Sequence, residues 1–167
     1  MEQRERKQNR LTNYDYGLPG SYFVTLCTNH PLTLFEMEPI VGNSPRAVSR
    51  PPQNLVIHKG IRQVQAHFTN IHIDKYVIMP DHLHIIVTIL ERHEGHSLQD
   101  VMHYFKTMTT TDYIRGVKSG MLQPFDKKLW QKSYYDHVIR NQQDYDETWQ
   151  YIENNPTRWM LIHQKEM

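Results

Sequence analysis

An α+β fold, an antiparallel sheet with helices packed against it, is predicted by three observations. Strand-like and helix-like stretches follow one another in the order β-α-β-β-α-β. The second and third strands are separated only by Pro80-Asp81, a hairpin or close antiparallel turn. A length of 167 residues, with 38% hydrophobic, 11% aromatic and 22% charged side chains, is the balance of one globular domain spanning 1–167. This order is that of a ferredoxin-like split βαβ sandwich, here followed by an additional C-terminal helix. A chain of this size buries about 70% of its unfolded surface. It needs no staple, and its single cysteine, Cys27, allows no internal disulfide.

The first strand is read over 21–28, SYFVTLCT, where β-branched and aromatic residues follow the turn signal Pro19-Gly20. Residues 29–52 contain five prolines and form a long irregular connection. Leu55, Ile57, Ile61, Val64 and Phe68 recur at helical spacing and predict a helix over 53–68, with Gly60 as its weak point. Strands over 70–79 and 82–90 follow. Ser97 and Asp100 form a capping pair for a helix that carries Leu98, Val101, Met102, Phe105 and Met108 to about Arg115. Residues 116–128 read as a loop and 129–139, LWQKSYYDHVI, as a strand. The last helix begins near Gln142, with Asp144, Asp146 and Glu147 at the positive end of its dipole, and Pro156 is expected to stop it at 155.

Nineteen Lys and Arg against 18 Asp and Glu leave a net charge of +1, so the whole chain is not the basic body that would by itself indicate nucleic acid. The distribution is uneven. Residues 115–132 hold five basic side chains and one acidic, whereas 144–153 hold four acidic and no Lys or Arg. A basic groove on one side is compatible with the neutral total, and so are two solvated faces. The charged N-terminus, MEQRERKQNR, lacks the apolar core of a signal peptide. The longest strongly apolar run, near Ile85 to Leu90, is far shorter than the roughly 18 residues of a spanning helix, so the cytoplasm is the expected compartment.

Two local patterns carry chemistry. His82 and His84 alternate with Leu83 and Ile85 on a strand and so share one face, where neutral imidazoles can converge on a divalent metal. With 11 histidines an H-x-H is expected about 0.7 times by chance, so two structural histidines are the competing reading. On the final helix Tyr151 and Asn155 lie four residues apart, on one face. The competing reading there is an amphipathic tyrosine packed with its hydroxyl at the surface.

The joint pattern resembles a known family. Arg10-Leu11, Asp15-Tyr16 and Pro19 to Thr25 are followed by Met79-Pro80-Asp81-His82-Leu83-His84, Phe105-Lys106, Trp130-Gln131, Tyr134 to Asn141 and Tyr151-Ile152-Glu153-Asn154-Asn155-Pro156. In this order the blocks resemble those of the single-tyrosine HUH transposases, REP-associated tyrosine transposases and their insertion-sequence relatives among them. The resemblance implies that His82 and His84 are the HUH histidines, that Tyr151 is the nucleophile, and that Asn155 completes the metal site. Insertion-sequence relatives often carry glutamine at this last position; asparagine is found in the REP-associated branch.

The resemblance further implies cleavage of single-stranded DNA beside a hairpin, through a 5′-phosphotyrosine and a free 3′-hydroxyl, with rejoining by the reverse attack. Phenols with a pKa near 10 are protonated at neutral pH, so attack on a phosphodiester needs nearby charge or a base. A metal held by two imidazoles and an amide oxygen stabilises charge on the phosphate, and such N/O donors suit Mg²⁺ or Mn²⁺. Lys106, Lys127, Lys128, Lys132 and Arg140 are candidate phosphate contacts, Trp130, Tyr134 and Tyr135 candidate stacking faces, and His137 either a DNA contact or a structural residue. If 129–139 is a strand, Trp130 and one neighbouring tyrosine point inward. His58, His67, His72, His93, His96, His103 and His163 form no second ligand set. A homodimer is the implied assembly. Two further readings stay open: a domesticated protein that binds hairpin DNA or RNA without cleaving it, and a metallohydrolase that uses water and leaves no adduct.

Overall fold

Alternation along the strands builds a sheet with two different faces. The computed structural model describes residues 10–29, 34–38, 50–94 and 96–164, so the predicted connection over 29–52 falls largely outside the described residues. The elements are β1 (Gly20–Cys27), α1 (Pro52–His67), β2 (Ile71–Ile78), β3 (His82–Ile89), α2 (Leu98–Lys118), β4 (Tyr135–Ile139) and α3 (Gln142–His163). The strands form one antiparallel sheet in the order β2-β3-β1-β4, which is the split βαβ arrangement with α3 added. Among the described residues no helix is long and apolar enough to cross a membrane.

One face carries the main core. Tyr22, Val24 and Leu26 of β1 and Leu83, Ile85, Val87 and Ile89 of β3 pack with α1 and α2. Gly60 is where the two helices approach closely: a Cβ there would lie 2.5 Å from Thr109 Cγ2 and 3.0 Å from Phe105 Cε2. The predicted weak point of α1 is therefore a packing requirement. Leu55 is exposed, against the predicted stripe, because Asn54 and His58 occupy the buried face instead. Asn54 donates to Glu36 O at 2.7 Å and His58 pairs with Tyr76 Oη at 2.6 Å and with the Glu38 carboxylate at 3.0 Å. Those contacts tie 34–38 to α1. The predicted capping pair of α2 is a complete box: Asp100 N–H donates to Ser97 Oγ at 3.3 Å, and Ser97 N–H to Asp100 Oδ2 at 2.8 Å.

The opposite face is covered by α3 through a smaller cluster of Val77, Met79, Ile86 and Ile152, fringed by Phe23, Tyr145, Trp149 and Trp159. A β-bulge shifts the β2–β3 register between Ile73 and Lys75, leaving Asp74 unpaired in the ladder. Asp74 Oδ2 accepts hydrogen bonds from Tyr145 Oη and Thr88 Oγ1, both at 2.7 Å. The next residue, Lys75, is buried with Nζ 3.9 Å from the centre of the Trp149 ring and 3.6 Å from Glu153 Oε1.

Two predicted boundaries are corrected. The last strand covers Tyr135–Ile139 only, with an isolated bridge between Thr28 and Trp130, because Leu129, Trp130 and Tyr134 turn into the main core instead of continuing a ladder. The last helix does not stop at 155. It runs through Pro156 to His163. Proline forfeits one backbone hydrogen bond to the residue four before it, and here the burial of Ile152 and Pro156 together with the packing of Trp159 holds the helix across the gap.

Candidate active site

β3 and α3 bring the predicted site residues, two from each, to one cleft. The β3 alternation that sends Leu83 and Ile85 into the main core turns His82 and His84 toward α3. On α3, Ile152 is fully buried, and this rotation leaves Tyr151 and Asn155 on the flank beside the histidines. A cleft of about 390 Å³ is lined by His82, His84, Tyr151 and Asn155, joined by Thr25, Cys27, Arg158, Trp159 and Ile162. The His82 and His84 ring centres are 4.6 Å apart, and Tyr151 stands edge-on to His84 at 5.4 Å and to Phe23 at 5.8 Å. Tyr151 is 40% exposed and lines the open cleft.

Both imidazoles are oriented through Nδ1. His84 Nδ1 is 2.8 Å from Thr25 Oγ1, its register partner on β1, and His82 Nδ1 is 2.6 Å from the Asp81 carboxylate. A carboxylate only accepts, so His82 donates from Nδ1 and keeps Nε2 for the cleft. For His84 the same tautomer follows when Nδ1 donates to Thr25. Burial, reinforced by the neighbouring His82 and opposed by Asp81, pushes the His84 pKa down to about 3, so its ring is neutral at physiological pH. Neutral imidazole is the form that ligates metal. Among the described residues no three His, Cys, Asp or Glu side chains are placed to hold a metal ion; the donors that line this cleft are the two imidazoles and the amide of Asn155, groups of the kind that can bind a divalent cation.

The basic and aromatic candidates lie elsewhere. Lys106, Lys127, Lys128 and Lys132 line a separate groove of about 570 Å³ between α2 and the 125–132 segment. Within it Lys106 is committed: its Nζ donates to the carbonyls of Gln131 at 2.7 Å and Lys132 at 3.0 Å, which fastens that segment to α2. Trp130 is corrected as a stacking platform. It is 3% exposed, sits against Phe35, and donates from its indole to Thr109 Oγ1 at 2.9 Å. Tyr134 is buried as well, whereas Tyr135 is exposed and pairs in register with Thr25, on the face that carries His84. His137 is paired with Asp144 at 2.9 Å, at the start of α3, and Arg140 lines a small cleft with Ser21 and Tyr145.

Sequence reasoning missed Thr25, Arg158, Trp159 and Ile162. The last three follow Tyr151 at helical spacings, a signal lost by ending the helix before Pro156.

The model of the family described as IS200-like transposase matches residues 47–155. A Haemophilus influenzae protein of uncharacterised function is 29% identical over 170 residues, covering 92% of this chain and 89% of the relative. A second H. influenzae protein, provisionally named a REP-associated tyrosine transposase, is 25% identical over 84 residues, covering 48% of this chain and 47% of its own. Among solved structures, a REP-associated tyrosine transposase bound to a REP hairpin superposes with a TM-score of 0.62 at 20% identity, over 89% of this chain and 73% of that one. A Deinococcus radiodurans protein, provisionally named a transposase, gives 0.51 at 14% identity, over 87% and 95% of the two chains. These two likenesses establish a shared fold.

Proposed function

The chain belongs to the IS200-like transposase family, and from that premise we propose that it cleaves and rejoins single-stranded DNA beside a hairpin, with Tyr151 as nucleophile. The observation that carries this reading is the convergence of Tyr151 and Asn155 from α3 with His82 and His84 from β3 in one open cleft.

In the proposed reaction the Tyr151 oxygen attacks the phosphorus of a phosphodiester. The P–O3′ bond breaks, the phenol proton passes to water, and the leaving 3′ oxygen takes a proton from water. The products are a 5′-phosphotyrosine and a 3′-hydroxyl, and attack by a 3′-hydroxyl on the phosphotyrosine restores a phosphodiester with no external energy source. His82, His84 and Asn155 would hold a divalent cation, Mg²⁺ or Mn²⁺, which supplies charge stabilisation at a nonbridging phosphate oxygen. Thr25 and Asp81 keep the two imidazoles aimed at the cleft.

Hairpin DNA as the substrate is supported by family membership and by the REP hairpin bound to the protein of like fold. Lys127, Lys128 and Lys132 offer a positive groove for its backbone, Tyr135 an exposed ring beside the cleft, and His137 and Arg140 further contacts along the start of α3. A homodimer belongs to the same reading. β4 forms one edge of the sheet and offers a surface for pairing with a second copy.

The test is incubation with hairpin-bearing single-stranded oligonucleotides drawn from the DNA flanking the gene, with Mg²⁺ or Mn²⁺, followed by denaturing electrophoresis. The expected result is a metal-dependent covalent species that vanishes in Tyr151→Phe while DNA binding persists. Adduct at wild-type level in Tyr151→Phe would remove Tyr151 as nucleophile, shortened DNA without an adduct would make water the nucleophile, and binding without either product would identify a domesticated binder.

A further inference from the structure

Arg158 lies seven residues beyond Tyr151 on α3, two helical turns along the same flank. Its guanidinium carbon is 5.7 Å from the centre of the Tyr151 ring, within cation–π range, and its side chain lines the cleft with His82, His84 and Asn155. The turn that carries it is held in place, since Pro156 is buried and Trp159 packs with the α3 side of the sheet. Among the described residues Arg158 makes no ion pair. Arg10, Arg92 and Arg115 are paired with Asp136, Asp15 and Asp112, whereas Arg158 stands unpaired among the described residues, beside the tyrosine and the two histidines of the cleft. A permanently charged, planar donor with no carboxylate partner among the described residues, beside an exposed phenol, matches a phosphodiester anion in geometry and in charge.

We propose that Arg158 is a catalytic residue, binding the nonbridging oxygens of the phosphodiester that Tyr151 attacks. It holds the phosphorus against the tyrosine oxygen and neutralises charge that grows as the Tyr151 O–P bond forms and the P–O3′ bond breaks. The guanidinium neither gains nor loses a proton; the phenol proton goes to water, and the 3′ oxygen takes one from water. Because charge on the phosphoryl oxygens is greatest in the transition state, the contribution falls mainly on the rate and less on DNA affinity. This assignment rests on Tyr151 being the nucleophile.

The experiment measures single-turnover adduct formation by wild type, Arg158→Ala and Arg158→Lys on an oligonucleotide that wild type cleaves, selected from the flanking-hairpin panel, with DNA binding and thermal unfolding followed in parallel. Loss of one such donor costs on the order of 10²–10³ in rate, so Arg158→Ala should fall by about that factor, Arg158→Lys should recover part of it, and unfolding should be unchanged for this exposed side chain. The scissile phosphate, mapped from the wild-type product, is then replaced by a methylphosphonate, which lacks the charged oxygen. The gap between wild type and Arg158→Ala should narrow to within a few-fold. A wild-type rate in Arg158→Ala, or an undiminished gap on the methylphosphonate, overturns the assignment while leaving Tyr151 as nucleophile. Absence of any adduct from wild type across the panel overturns the Tyr151 reading and this assignment with it.

Discussion

The two faces of the sheet are built to different standards. Toward α1 and α2 the strands present Tyr22, Val24, Leu26, Leu83, Ile85 and Val87, all buried in one continuous apolar cluster. Toward α3 the register partners of the same strands include Thr25 with His84, Cys27 with His82, and Lys75 with Ile86, and the fully apolar contact shrinks to Val77, Met79, Ile86 and Ile152. Period-2 alternation lets one sheet do both: one set of side chains supplies stability while the other, freed from that demand, carries groups that would be costly in an apolar core. Elements with few buried apolar contacts open first. The layer that carries Tyr151 is accordingly the less stable one.

The difference is testable by cutting into each layer. Phe105→Ala removes a fully buried ring from the main core and should cost about 3–5 kcal/mol, read as a lower midpoint in denaturant; a loss near zero would mean that the main core does not carry the fold. Ile152→Ala should cost less, about 2–3 kcal/mol, and locally. By amide exchange α3 should lose protection while β1 and β3 keep theirs, whereas uniform loss would show that the two layers unfold as one. Tyr145→Phe deletes only the hydrogen bond to Asp74 and should cost about 1–2 kcal/mol, confined in exchange to the first turns of α3; an unchanged α3 would show that this bond does not anchor the helix.

What was legible in the sequence was local. Strands β1 and β3 announce themselves through alternation, and the pairs His82/His84 and Tyr151/Asn155 depend only on a spacing of two in a strand and four in a helix. What needed distant partners was not legible. Asn54 and His58 read as the polar side of α1, yet they are buried because Glu36, Glu38 and Tyr76 satisfy them from other segments. The aromatics over 129–134 resemble a strand because buried plugs and strands draw on the same residue types. Thr25 becomes part of the cleft only once the β1–β3 register is known. Arg158 was hidden by a sound local rule, that proline ends helices, which tertiary packing overrides here.

The bulge in β2 has a consequence for aim. By adding one residue it sets Asp74 and Lys75 in succession toward α3, where one holds Tyr145 and the other Trp149, a single helical turn apart. Two grips one turn apart fix the helix in azimuth as well as in height, as two keys fix a shaft. A slip of one residue along α3 would turn its surface by about 100° and swing the phenol of Tyr151 out of the cleft. The direction in which Tyr151 points is thus set within the two turns that precede it, by a strand none of whose residues lines the cleft.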